Sequence, residues 1–204
     1  MKTRLIAAVA ASALFLADAG PTAAAALKTA VFAGGCFWSA QHDIEHTPGV
    51  KDVVVGYAGG TTPNPTYDGG HDGYLESIKV TYDPAAISYE KLVDAFFHHI
   101  DPTDANGQIC DQGPTYRTAV FVADPAEKAA AEKVKEQVHQ ELRLPIKTMV
   151  LPAGKFWPEP DQNHQHYAEK FPARYMAYRV GCGRDRTLKA VWSMASAPPR
   201  SGGH

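Results

Sequence analysis

The sequence predicts an α+β protein: a two-layer α/β sandwich with a ferredoxin-like core, followed by a long C-terminal coil. Three observations lead there. Strand-length runs rich in Val and Ile alternate with helical runs in the order β-α-β-β-α-β-α-β. Each helical run carries a single apolar stripe, which places helices against a sheet in two layers. The connections are long and polar, and they hold the chemically unusual residues, as functional loops do.

Residues 28–33 alternate apolar positions as a strand would, and Gly34-Gly35 interrupts them. From Cys36 to His46 the apolar residues Phe37, Ala40 and Ile44 fall at helical spacing before Pro48-Gly49 stops the run. Residues 50–57 and 75–82 read as strands, separated by a loop dense in Gly, Pro, Thr and Asn. Ser88 is placed to cap a helix whose Leu92, Val93, Phe96, Phe97 and Ile100 form one stripe, and Asp101-Pro102 ends it. A strand over 116–123 precedes Asp124-Pro125-Ala126-Glu127, which has an acidic cap, Pro at the first helical position and Glu at the third. That helix should reach Leu142, a last strand covers 147–151, and coil with one short helix near 164–171 completes the reading.

At 204 residues, 45% apolar and 21% charged, the chain has the composition of an ordinary globular domain. The net charge is −2 and its basic residues are scattered, which argues against nucleic acid or an anionic membrane as partner. Residues 1–19 read as a signal peptide. Lys2 and Arg4 precede an apolar stretch over 5–16, and Ala17-Asp18-Ala19 offers cleavage before Gly20, with a second possible cut in 23–26. Export to a bacterial periplasm is the expectation, followed by a single catalytic domain over 27–195 acting as a monomer off the membrane.

Three cysteines, Cys36, Cys110 and Cys182, are an odd and widely spaced set, poorly suited to a disulfide framework and better suited to reactive chemistry, with one stapling pair plus a spare thiol as the alternative. Cys36 stands where a strand ends and a helix begins. Gly34-Gly35 lets the backbone turn there, and the first helical turn should stabilise a thiolate and lower the thiol pKa. Phe37 and Trp38 follow directly. Adjacent helical aromatics point in different directions, so at least one can line a cleft suited to a substrate methyl group while the other packs inward.

With these residues identified, Gly35-Cys36-Phe37-Trp38 resembles the signature of the peptide methionine sulfoxide reductase A family. The resemblance continues through Gly56-Tyr57-Ala58-Gly59-Gly60, Asn64-Pro65-Thr66-Tyr67, Glu76 before Asp83-Pro84, Asp111 with Tyr116-Arg117, and His164-Gln165-His166-Tyr167, across roughly residues 28–182. It implies reduction of methionine S-sulfoxide, in proteins or free, with no bound cofactor. It also implies Cys36 as nucleophile, Glu76 as acid, Tyr57 and Tyr116 as donors to the sulfoxide oxygen, and Asp111 as an orienting group. Phe37 and Trp38 would contact substrate, with Tyr167 at the rim.

Oxygen transfer would leave a sulfenic acid on Cys36, which a second thiol converts to a disulfide for reduction by a thioredoxin-type dithiol. Cys182, between Gly181 and Gly183 in the expected coil, resembles the family's resolving cysteine. Cys110 is a departure from the family pattern, as are Ser39 and Tyr74-Leu75; lying directly before Asp111, it is the alternative resolver. His98-His99 and His164-x-His166 suggest a metal, but no metal-binding spacing accompanies them, and no required metal is expected. A cysteine hydrolase and a non-catalytic binding module for oxidised methionine are the remaining rivals.

Overall fold

The computed structural model describes residues 26–195; the expected signal peptide lies outside them. Strand β1 (Lys28–Gly34) leads through helix α1 (Phe37–Ile44) to β2 (Val50–Ala58), β3 (Leu75–Tyr82) and α2 (Tyr89–His98). After a small hairpin, β4 (Gly107–Gln108) and β5 (Asp111–Gln112), come β6 (Thr118–Val122), α3 (Pro125–Leu142), β7 (Met149–Pro152) and β8 (Trp157–Pro158). Three helices close the described chain: α4 (Tyr167–Lys170), α5 (Pro172–Cys182) and α6 (Arg184–Ser193).

The main sheet has the order β7-β6-β1-β3-β2-β8. Its centre, β6-β1-β3-β2, is antiparallel at every pairing and is the ferredoxin-like core expected from sequence. β7 extends it by pairing parallel with β6, which requires the intervening α3 as crossover. Between sheet and helices lies one apolar core in which Phe32 stacks on Phe96 at 4.7 Å and Val55, Ile78, Val120, Leu92, Val134 and Val138 are fully buried. The caps form as the sequence anticipates. Ser88 accepts from the Lys91 amide, Asp124 accepts from the Glu127 amide at 2.8 Å, and Glu127 reaches back to the amide of Ala123.

The C-terminal region differs from expectation, since the predicted coil is helical through α5 and α6. Gly181 lies within α5, and Gly183, at φ 69°, is the left-handed residue that ends α5 and begins α6. Long-range ion pairs hold this arm. Arg179 donates to Asp43 of α1 at 2.7 Å, and Arg184, 1% exposed, donates to the same carboxylate at 3.0 Å and to the His99 carbonyl. A shared buried anion therefore fastens both flanks of Cys182 to the helix that Cys36 begins. Among the described residues no helix is long and apolar enough to cross a membrane.

Candidate active site

Gly35 makes the corner that presents Cys36. Its φ is +81°, and a Cβ there would collide with the side chain of Gln108, so only glycine fits. Cys36 is the residue preceding α1, and its carbonyl accepts the amides of Ser39 and Ala40. The first helical amide, that of Phe37, donates to Glu76 Oε2 at 2.9 Å. Glu76 comes from β3, the strand hydrogen-bonded directly to β1, and its partner in register is Tyr57 of β2. Thus the nucleophile and the acid named from sequence meet at one helix N-terminus.

Their electrostatics differ from the sequence expectation for Cys36. Burial pushes the Cys36 thiol up to about 12, and the nearby carboxyls of Glu76 and Asp111 add to the rise. Hydrogen bonding from Tyr178 and from the Trp38 amide opposes it without reversing it. The expected fall in pKa is corrected for a physical reason: desolvation of a nearly sealed thiol, 7% exposed, outweighs the helix terminus. Glu76 moves the same way. Burial raises its carboxyl to about 8, against the Phe37 amide that favours its charged form, so at neutral pH it holds a proton. One oxygen is occupied by the Phe37 amide, leaving the other to act as a donor.

Trp38 forms the visible aromatic surface. Its ring stacks on Tyr167 at 3.9 Å, lies near Tyr67 and His164, and its indole N–H donates to His164 Nδ1 at 3.1 Å. Phe37 is 0% exposed, so it backs this wall from within the core rather than forming its face. Gln165 fixes the loop behind them by bonding both the amide and the carbonyl of Val55, as an additional strand would.

The tyrosines are only partly as expected. Tyr57 is fully buried and its hydroxyl donates to Glu159 at 3.0 Å, so that hydroxyl is already committed. Glu159 also accepts the Tyr67 amide, positioning a tyrosine that sequence reading had placed in the family motif without assigning it a role. After burial, the charges that raise the Tyr67 and Tyr116 hydroxyls most are those of Glu76 and Cys36. Tyr178 of α5 was missed as well. Its hydroxyl donates to Asp111 Oδ2 at 2.5 Å and interacts with the Cys36 thiol. No local pattern could reveal it, because the expected coil hid the helix that carries it.

The two candidate resolving cysteines are joined to each other. Cys110 and Cys182 form a disulfide with a Cα–Cα distance of 5.2 Å, while Cys36 remains a free thiol. Both sulfurs lie within 4.8 Å of the Asp111 carboxylate, which Tyr178 links back to Cys36. Cys110 is exposed and Cys182 half-buried.

A buried nucleophilic thiol beside a protonated carboxyl, with a disulfide one carboxylate away, defines a thiol-dependent oxidoreductase. The family profile described as peptide methionine sulfoxide reductase matches residues 28–196. Peptide methionine sulfoxide reductase MsrA 2 of Caulobacter vibrioides is 44% identical over 196 residues, covering 94% of this chain and 99% of its own. Its counterpart in Rhizobium meliloti is 45% identical, covering 84% and 87%. Among solved structures, methionine sulfoxide reductase A of Corynebacterium diphtheriae is similar with a TM-score of 0.65 at 34% identity over 72% of this chain and 76% of that one. Reduced Mxr1 of Saccharomyces cerevisiae has a TM-score of 0.66 at 31% identity over 72% and 86%. The chain belongs to the peptide methionine sulfoxide reductase family and is an oxidoreductase that reduces methionine sulfoxide.

Proposed function

We propose that the chain reduces methionine S-sulfoxide through Cys36 and Glu76, and returns to the reduced state through a relay that ends in the Cys110–Cys182 disulfide. The observation that carries this reading is the pairing itself: Cys110 is joined to Cys182 while Cys36 is free beside a carboxyl raised to about 8. In the first step Cys36 sulfur attacks the sulfoxide sulfur as Glu76 gives its proton to the oxygen. The oxygen passes to Cys36, methionine leaves, and the thiol proton replaces the one Glu76 gave. The products are methionine and a Cys36 sulfenic acid. Tyr67 and Tyr116 take the oxyanion-donor role, with Tyr67 replacing the committed Tyr57. Trp38 and Tyr167 receive the methyl group. Fixing methyl, oxygen and attacking sulfur around a chiral centre admits one epimer.

In the second step Cys182 attacks the sulfenic sulfur, releasing water and forming a Cys36–Cys182 disulfide. Cys110 then attacks Cys182, which frees Cys36 and leaves the disulfide observed. Two features support that order: Cys182 ends the helix whose Tyr178 reaches Cys36, and the exposed Cys110 is the more open target for an external dithiol. A dithiol of the thioredoxin type is the proposed reductant, and no prosthetic group takes part. The decisive experiment is a single turnover without reductant followed by peptide mapping. Cys110→Ser should accumulate the Cys36–Cys182 link and Cys182→Ser a Cys36 sulfenic acid; a Cys36–Cys110 link in Cys182→Ser would reverse the order.

The same reading takes residues 1–19 as an export signal, residues 27–195 as one catalytic domain, the mature protein as monomeric, and the periplasm as its location. The positive start, short apolar stretch and Ala17-Asp18-Ala19 support export. Finding the uncleaved chain in the cytoplasm of the native host would overturn it.

A further inference from the structure

We propose a second site at the opposite end of α1: a divalent transition-metal site in which His42, Glu45 and His46 are ligands and His166 closes from across the surface. Helical spacing brings His42 and His46 to one face, and their rings stand 5.4 Å apart at 73°. Glu45 lies between them with only 14% of its side chain exposed. Its Oε1 is 3.7 Å from His42 Nδ1 and 4.0 Å from His46 Nδ1, while Oε2 is 3.3 Å from His166 Nδ1. Two donors bridged by a tetrahedral zinc ion stand about 3.4 Å apart, given metal–ligand distances of about 2.1 Å. Most of these separations are too long for direct hydrogen bonds but suit atoms that share an ion.

A further feature points to a ligand. His42 Nδ1 is buried from solvent and has no hydrogen-bond partner among the described residues, a cost that coordination would remove. His46 Nδ1, the ring nitrogen 4.0 Å from Glu45 Oε1, rests 2.9 Å from the His42 carbonyl and would exchange that contact for the ion. Imidazoles with one carboxylate suit zinc or copper rather than magnesium or calcium, which take oxygen donors. Position adds to this, since the end of a helix carries negative partial charge and Glu169 lies beside Glu45 and His166. The structure also separates the histidines that drew attention in sequence. His164 stacks on Trp38 in the active site, whereas His166 turns to Glu45.

The test uses untagged Cys36→Ser protein with the Cys110–Cys182 disulfide formed, so that no thiol competes for metal. Zinc chloride titrated by calorimetry should bind one ion per chain, and the thermal midpoint should rise by several degrees in excess zinc. His42→Ala and His46→Ala should each abolish the binding, with an unchanged circular dichroism spectrum as the check on folding. His166→Ala should weaken it at least severalfold. Absence of saturable binding, binding that survives His42→Ala or His46→Ala, or unchanged affinity in His166→Ala overturns the proposal. The readout is metal binding in a protein without its nucleophile, so the result is independent of the sulfoxide reductase reading.

Discussion

The catalytic corner and the C-terminal arm both supply groups to the same few ångströms, yet they are built by different means. The corner is local: Gly35, Cys36 and Phe37 are consecutive, and a single amide-to-carboxylate bond brings Glu76 to them. The arm is long-range. Tyr178 and Cys182 reach the site only because Asp43 holds Arg179 and Arg184 from sequence distances of 136 and 141 residues. On the proposed reading, chemistry that must be rigid sits on a strand–helix junction of the core, while the recycling cysteine rides on helices attached by ion pairs.

If that division is right, mutations at the corner should stop chemistry and mutations in the arm should stop recycling. Cys36→Ser is the largest case, because an alcohol in this buried setting stays protonated and is a poor nucleophile. Methionine formation in a single turnover should vanish while the fold persists; a tenth of wild-type activity would contradict the assignment.

Glu76→Gln should follow, slowing single turnover by roughly 10²–10⁴. Since Glu76 acts protonated and its carboxyl is raised to about 8, the wild-type rate should fall as pH rises through that value. The Gln variant should lack that limb, and a limb that persists would assign it to another group. Stability gives a second signature. The folded state holds this proton more tightly than an ordinary glutamate at 4.5, so wild-type stability from this group is full below 4.5 and is lost as pH rises through about 8. Thermal melts of Glu76→Gln should show that decline flattened.

Asp43→Asn sharpens the other side of the comparison. Removing the anion leaves the buried Arg184 without its charged partner, so the arm should dock less firmly. Steady-state turnover with an external dithiol should drop severalfold, while the first methionine per enzyme is released at nearly the wild-type rate. Equal losses in both would mean that the arm positions the substrate as well. The smallest contrast is between two tyrosines. Tyr67→Phe should lower the single-turnover rate by about tenfold through loss of a donor to the oxygen. Tyr57→Phe should leave that rate almost unchanged and cost about 1–3 kcal/mol of stability in denaturant titrations, because Glu159 loses a buried donor.

Much of the molecule was legible before any coordinates. The ferredoxin-like core, the Ser88 and Asp124 caps and the end of α3 at Leu142 follow from periodicity and capping chemistry, which act within a few residues. That Cys36 and Glu76 would meet was legible because a glycine-bounded cysteine and a family motif are both short patterns. Three matters were decided only by the tertiary structure. The Cys36 thiol is raised rather than lowered, since burial and two carboxyls from distant segments set its environment. Glu159 takes the Tyr57 hydroxyl and holds the Tyr67 amide, which is why the proposed donor role moves from Tyr57 to Tyr67. The glycine-flanked Cys182 ends a helix and pairs with Cys110, since Asp43 supplies the counter-charge that makes two short helices worth ordering. Local patterns encode backbone preference and the identity of reactive groups; desolvation, partner choice and ion pairing across more than a hundred residues exist only once the chain has folded.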